Sequence, residues 1–157
     1  MAPRLRHFVV NLETPLPAIE AWARVLDLRA HDRFIPFTRV TSGLASAAEL
    51  RPGHRFTACT MFGRVGFDDE MVIESIAPPS GTSPGHARIV KTGRFVLGAV
   101  ELTVSVHDGG SSLRWSQDFA LGRLARPVRW AAGLVAPVLY RTMLRRLLRG
   151  TTAATAP

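Results

Sequence analysis

The chain has 157 residues and a mass of 17.1 kDa, with 46% hydrophobic and 20% charged positions, enough for one globular domain with a real core. That apolar content excludes intrinsic disorder, and a lone cysteine, Cys59, excludes a disulfide scaffold. The formal charge of +8 is the unusual feature: of 20 basic residues, only Lys91 is not arginine.

The charge excess is local. Arg123, Arg126, Arg129, Arg141, Arg145, Arg146 and Arg149 fall between residues 121 and 150 with no acid among them, whereas all 12 acids lie earlier and nearly balance the basic residues there. Nucleic-acid binders spread phosphate-contacting charge and aromatics along a groove. Here the charge rides on one element, and no nucleic-acid partner is expected. The preference for arginine agrees equally well with genome composition. The longest uncharged, strongly apolar stretch, Trp130 to Tyr140, has 11 residues, short of the roughly 20 that a spanning helix needs. MAPRLRHFVV lacks the apolar run and cleavage site of a secretory leader, so a cytoplasmic protein is expected.

In chain order, His7 to Glu13 predicts a short strand with Phe8, Val10 and Leu12 on one face. Pro17 suits the first turn of a helix over AIEAWARVLDL, with Ile19, Trp22, Ala23 and Leu26 on its buried side. Arg29 to Phe37 predicts a second short helix, stopped by Pro36. Strands follow at Thr38 to Leu50 (weakly patterned), His54 to Phe62, Asp68 to Ile76, His86 to Lys91, Phe95 to His107 and Leu113 to Leu121, separated by Gly- and Pro-rich turns. In the clearest of them, Val100, Leu102, Val104 and Val106 share one face, and Asp108-Gly109-Gly110 is a hairpin turn. From Pro127 to Leu148 the period is helical, with Gly150 as its stop and Leu124, Val128, Val135, Leu139 and Met143 as the expected buried stripe. Pro137 inside this helix predicts a kink. Residues 1–150 read as one domain without internal repeats, and 151–157 as a flexible tail.

The expected architecture is α+β, β-α-α-β-β-β-β-β-β-α: a curved antiparallel sheet of about seven strands wrapped around a long C-terminal helix. An antiparallel sheet needs cover on one face, and a gap between sheet and helix is a natural ligand pocket. Particular residues strengthen this. AWARVLDLRAHDRFIP, LRPGHRF, EMVIESIAPP and VELTVSVHDGGSSLRW, in that order across residues 5 to 149, resemble the START and polyketide-cyclase superfamily (SRPBCC), the helix-grip fold. The resemblance implies a cavity that takes lipids, polyketides, sterols or other apolar molecules. Some members are cyclases, dehydratases or hydrolases and others carriers or sensors; the shared motifs include no catalytic group.

Polar residues that interrupt apolar strand faces are the candidates for orienting a ligand. Gln117 alternates with Leu113, Trp115 and Phe119, and His54 and Thr60 alternate with Phe56, Ala58 and Phe62. If these faces point inward, Gln117, Thr60 and His54 hydrogen-bond a ligand walled by Phe56, Met71 and Trp115. The plainer alternative is that Gln117 and Thr60 satisfy neighbouring backbone or water. His54, or an arginine near the pocket, is the candidate for the acid–base chemistry of a cyclase or dehydratase, and His54 has no acid beside it in sequence. The other histidines lack metal-ligand spacing, and Asp68-Asp69-Glu70 reads as a solvated strand entry, so neither metal nor cofactor is expected. No nucleophile elbow occurs, and Cys59 alternates with the more polar face. On the last helix, Trp130 and Leu134 fall among arginines. Either they contact anionic lipid or a partner protein, or the Pro137 kink turns them inward to line the pocket, which is the expectation adopted. The oligomeric state is not legible.

Overall fold

The structure, a computed structural model, describes residues 5–35, 37–121 and 126–150, without the side chains of Phe62, Val65, Arg126 and Val128. Pro36, Arg123, Leu124 and the expected tail 151–157 lie outside the described residues. Strand β1 (Arg6–Thr14) leads into helices α1 (Ala18–Val25) and α2 (Leu28–Phe34). Strands β2 (Thr38–Ser42), β3 (Arg55–Phe62), β4 (Val65–Ala77), β5 (Gly85–Thr92), β6 (Val96–His107) and β7 (Gly110–Leu121) follow, then helix α3 (Arg126–Arg149). The element order is the one predicted. The sheet order is β1-β7-β6-β5-β4-β3-β2, antiparallel throughout, so β2 to β7 form a meander and β1 returns beside β7.

Strand register carries one inward face across the whole sheet. One row reads Phe8, Gln117, Val100, Ile89 and Ile73, and the next reads Phe119, Gly98, Lys91, Met71 and Phe56. The apolar members of these rows alternate with less buried residues along each strand, the pattern of a sheet covered on one side. Gly98 has φ 135°, and a side chain there would collide with the Asp118 carbonyl. Only glycine fits, and the inner row therefore has a gap between Lys91 and Phe119.

The helices cover this face unequally. Met143, Leu144, Leu147 and Leu148 of α3 are buried in one core with Trp22, Val25 and Leu28 of α1 and α2. Arg24 donates to the Leu148 carbonyl at 2.8 Å, and Gly150, at φ 65°, closes the helix by bonding back to the Arg146 carbonyl. Two predicted stripes are corrected here. In α1 the buried residues are Ala18, Ala21, Trp22 and Val25, and Ile19 and Ala23 are exposed. The stripe is set by the Trp22 ring facing the core, which shifts the helix face away from the spacing anchored on Ile19. Among the described side chains of the expected α3 stripe, Met143 is buried, while Val135 and Leu139 are exposed and the helix runs unbroken through Pro137. Its last turns pack on α1 and α2, whereas Val135 and Leu139 border an open cleft beside Phe34 of α2. Val106 also lies beyond the core, exposed at the end of β6.

Between the short helices, Asp27 caps α2 by accepting from the Arg29 amide, and Asp32 accepts from the Val40 amide at 2.7 Å. His31 Nε2 donates to the Val25 carbonyl at 2.9 Å. Burial pushes its pKa below the ordinary histidine value, and the hydrogen bond to Val25 and the nearby Asp27 and Asp32 only partly oppose this. The unfolded chain therefore takes up a proton near pH 6.5 that the folded chain refuses until lower pH. Stability is complete above that pH and falls as the pH drops from there through the folded value. Urea midpoints measured between pH 5 and pH 7 should show this fall, and His31→Gln, which keeps a donor but cannot titrate, should flatten it.

Candidate functional site

Two polar groupings interrupt the inward apolar face. The first is built on Gln117, 3% exposed. Trp115 Nε1 donates to Gln117 Oε1 at 3.0 Å, because residues two apart on β7 share a face, and Gln117 Nε2 donates to the Tyr140 hydroxyl at 3.5 Å. Tyr140, the only tyrosine, comes down from α3 onto the sheet. Its ring lies 5.7 Å from Trp115 and 5.4 Å from Phe8, and Phe8 meets Phe119 edge-on. Gln117 is thus satisfied, but by side chains rather than by the backbone or water that the plainer reading supplied.

The second grouping went unread in the sequence. Lys91, the only lysine, is 4% exposed and pairs with Asp69 on the neighbouring strand. Its ammonium also approaches the Met71 thioether at 3.6 Å. Burial alone would lower the Lys91 pKa. The Asp69 carboxylate, aided by the Tyr140 phenol, reverses this and holds the ammonium above the ordinary lysine value. Asp69 Oδ1, the oxygen turned away from this pair, is buried with no hydrogen-bond partner. The solvated entry expected for Asp68-Asp69-Glu70 is therefore corrected: Asp68 and Glu70 are exposed, and Asp69 faces inward between Phe67 and Met71. The signal was present in the alternation Phe67-Asp69-Met71-Ile73 and Ala87-Ile89-Lys91, which sets one acid and one base on two apolar faces.

The other predicted residues are distributed as follows. Phe56, Met71 and Trp115 are on the inward face, Phe56 and Trp115 buried and Met71 half-buried. Thr60 faces inward and shares a hydrogen bond with the Thr38 hydroxyl at 2.9 Å. His54 precedes β3, and its Nε2 meets the Gly43 carbonyl at 2.8 Å, closing the loop from 43 to 54. Trp130 and Leu134 are 63% and 57% exposed. The expected inward turn does not occur, because the helix keeps its phase through Pro137. Cys59 sits on the opposite sheet face across from Asp68, whose carboxylate raises the thiol pKa, the wrong direction for a nucleophile. Among the described residues no group of three or more His, Cys, Asp or Glu could hold a metal ion. No described helix is long and apolar enough to cross a membrane.

Two clefts open elsewhere. One, of about 410 Å³, lies outside the sheet among Pro15, Pro17, Ile19, Pro79 and Val106. The other, of about 210 Å³, runs between α2 and α3, with Phe34, Val135, Leu139 and Arg146 among its walls.

The buried pair has a measurable signature. Lys91→Met leaves Asp69 as an uncompensated buried charge and should cost about 3–5 kcal/mol. The double variant Lys91→Met with Asp69→Leu removes both charges and should recover most of that loss. Urea unfolding of the two variants against the parent chain checks the difference.

No family model matches the chain, and no curated protein matches it in sequence. Solved structures do match it in shape. The Zhui aromatase/cyclase from Streptomyces sp. R1128 superposes with a TM-score of 0.66 at 15% identity, covering 98% of this chain and 100% of that one. Ara h 8.0201 superposes with a TM-score of 0.61 at 13% identity over 94% of this chain and 100% of that one. The di-domain ARO/CYC StfQ from the steffimycin biosynthetic pathway gives a TM-score of 0.64 at 12% identity, covering 92% of this chain and 49% of that one. Together with the seven-stranded antiparallel sheet and the long C-terminal helix, these superpositions show that this chain has the helix-grip fold.

Proposed function

We propose that the chain binds an apolar or aromatic small molecule between the sheet and α3. One observation carries this reading. Thr60, Phe67, Met71 and Tyr140 are only half-buried, while Ile73, Ile89 and Val100 on the same sheet face are sealed. The cover is therefore incomplete over β3 and β4, where a ligand would meet Phe56, Thr60 and Met71. Trp115 and Gln117 would act from behind, holding Tyr140 against the sheet. Two similar structures are described as aromatase/cyclases. A cyclase or dehydratase on this scaffold would draw on Lys91, Asp69 and Tyr140 rather than on His54, whose ring is spent on Gly43. Titration with the neutral fluorophore N-phenyl-1-naphthylamine should show saturable binding, and Met71→Trp, which fills the space, should weaken it about tenfold or more. Absence of saturable binding to the parent chain overturns the reading.

A second reading has its own observation. Trp130, Leu134 and Val138 are exposed on α3, and Arg141 and Arg145 continue their stripe. Apolar side chains beside arginines suit an anionic membrane surface. Because Trp22 and Trp115 are buried, a blue shift of tryptophan emission with phosphatidylglycerol vesicles reports Trp130. The shift should vanish in Trp130→Ala with Leu134→Ala and weaken as salt is raised. An unchanged spectrum at low salt removes this reading.

A further inference from the structure

The orphaned oxygen of Asp69 points beyond general apolar binding. Oδ2 is neutralised by Lys91, whereas Oδ1 is closed to solvent and accepts from no protein group. A buried carboxylate oxygen without a donor is costly, because the group has given up its hydration and received nothing in return. The protein has placed it on the incompletely covered part of the inward face. Its cross-strand neighbour is Ala58, too small to contribute a donor, and its neighbour along β4 is the flexible, half-buried Met71. Tyr140 accepts from Gln117, so its own O–H remains a donor on the same face. Lys91 and Asp69 together carry no net charge, so the pair does not call for an ionic ligand.

Resting on the ligand-binding reading above, we propose that Asp69 Oδ1 is the acceptor for a hydroxyl on the bound molecule. The site then selects hydroxylated apolar ligands over the corresponding ethers and hydrocarbons, with Lys91 fixing the carboxylate in place. A hydrogen bond from a neutral donor to a buried charged acceptor is worth enough to give about a 10- to 100-fold preference. The Met71 side chain must move aside for the ligand to reach the oxygen.

The test compares 1-naphthol with 1-methoxynaphthalene, which have the same ring but only one of which can donate, by isothermal titration of the parent chain. The expected result is tighter binding of the naphthol by about 10-fold or more. In the variant pair Lys91→Met with Asp69→Leu, the two compounds should bind alike. In Asp69→Asn, which keeps the side-chain shape but removes the charge, the preference should shrink, with circular dichroism confirming that each variant is folded before it is titrated. Equal affinities in the parent chain overturn the proposal while the ligand-binding reading stands. Binding of neither compound overturns both. A preference that survives in both variants assigns the hydroxyl to another group and overturns the role of Asp69.

Discussion

A single helix has to cover the apolar face of seven strands, and it is too narrow to do so. Seven strands spaced about 4.8 Å apart span roughly 30 Å, and a helix with its side chains is about 10–12 Å across. Curling the sheet and adding α1 and α2 close part of the difference. The remainder depends on where α3 is tied down. Its last turns are held by Trp22, Val25 and Leu28, and Tyr140 sets its middle on Phe8 and Trp115. Tyr140 and α1 anchor it toward the β1–β7 side, and α2 packs on β2 at the other edge. Between these anchors lie β3 and β4, where Thr60, Phe67 and Met71 are half-buried.

What occupies the edge of that region is chemically unusual for a structural core. A buried ion pair is a poor way to stabilise a fold, since desolvating two charges cancels most of their attraction and well-packed apolar residues do as well. Gln117 is different: each of its two side-chain ends has a partner, and those bonds fix the helix on the sheet. Lys91 and Asp69 fix nothing between elements beyond two strands already joined by backbone hydrogen bonds. One carboxylate oxygen is left over. A satisfied network and an unsatisfied one thus lie on the same face, and only the unsatisfied one asks for something outside the chain.

Much of this was legible from residues alone, and the divide between what was and was not has physical causes. Turn chemistry and period-two alternation locate the strands, because each turn demands a glycine or proline and each strand has one wet face. Gln117 stood out for the same reason, as a polar member of an apolar row. Asp69 and Lys91 obey the identical rule. They were missed because Asp68-Asp69-Glu70 looks like a charge run, and a charge run reads as solvated until its two faces are separated. Tyr140 and the phase of α3 were beyond reach for another reason. A helix that is apolar on several sides at once has no unique buried stripe, so tertiary anchors choose it: α1 and α2 select Leu144, Leu147 and Leu148 over Val135 and Leu139.

The charge of α3 divides along the same line. Arg146 and Arg149 lie in the last turn, where cations offset the partial negative charge of the helix C-terminus, so the helix itself accounts for them. Arg141 and Arg145 gain little from that effect, which fades within a turn of the end. They fall instead on the stripe that begins with Trp130, Leu134 and Val138, all within about 80° of one another at 100° per residue. An apolar half followed by a cationic half on one exposed stripe is not what a helix needs merely to cover a sheet. The buried side of α3 is explained by the core it closes, and the stripe on its exposed side by nothing among the described residues. The +8 of the sequence is therefore mostly a property of one helical surface, separate from the nearly neutral interior where Lys91 and Asp69 cancel.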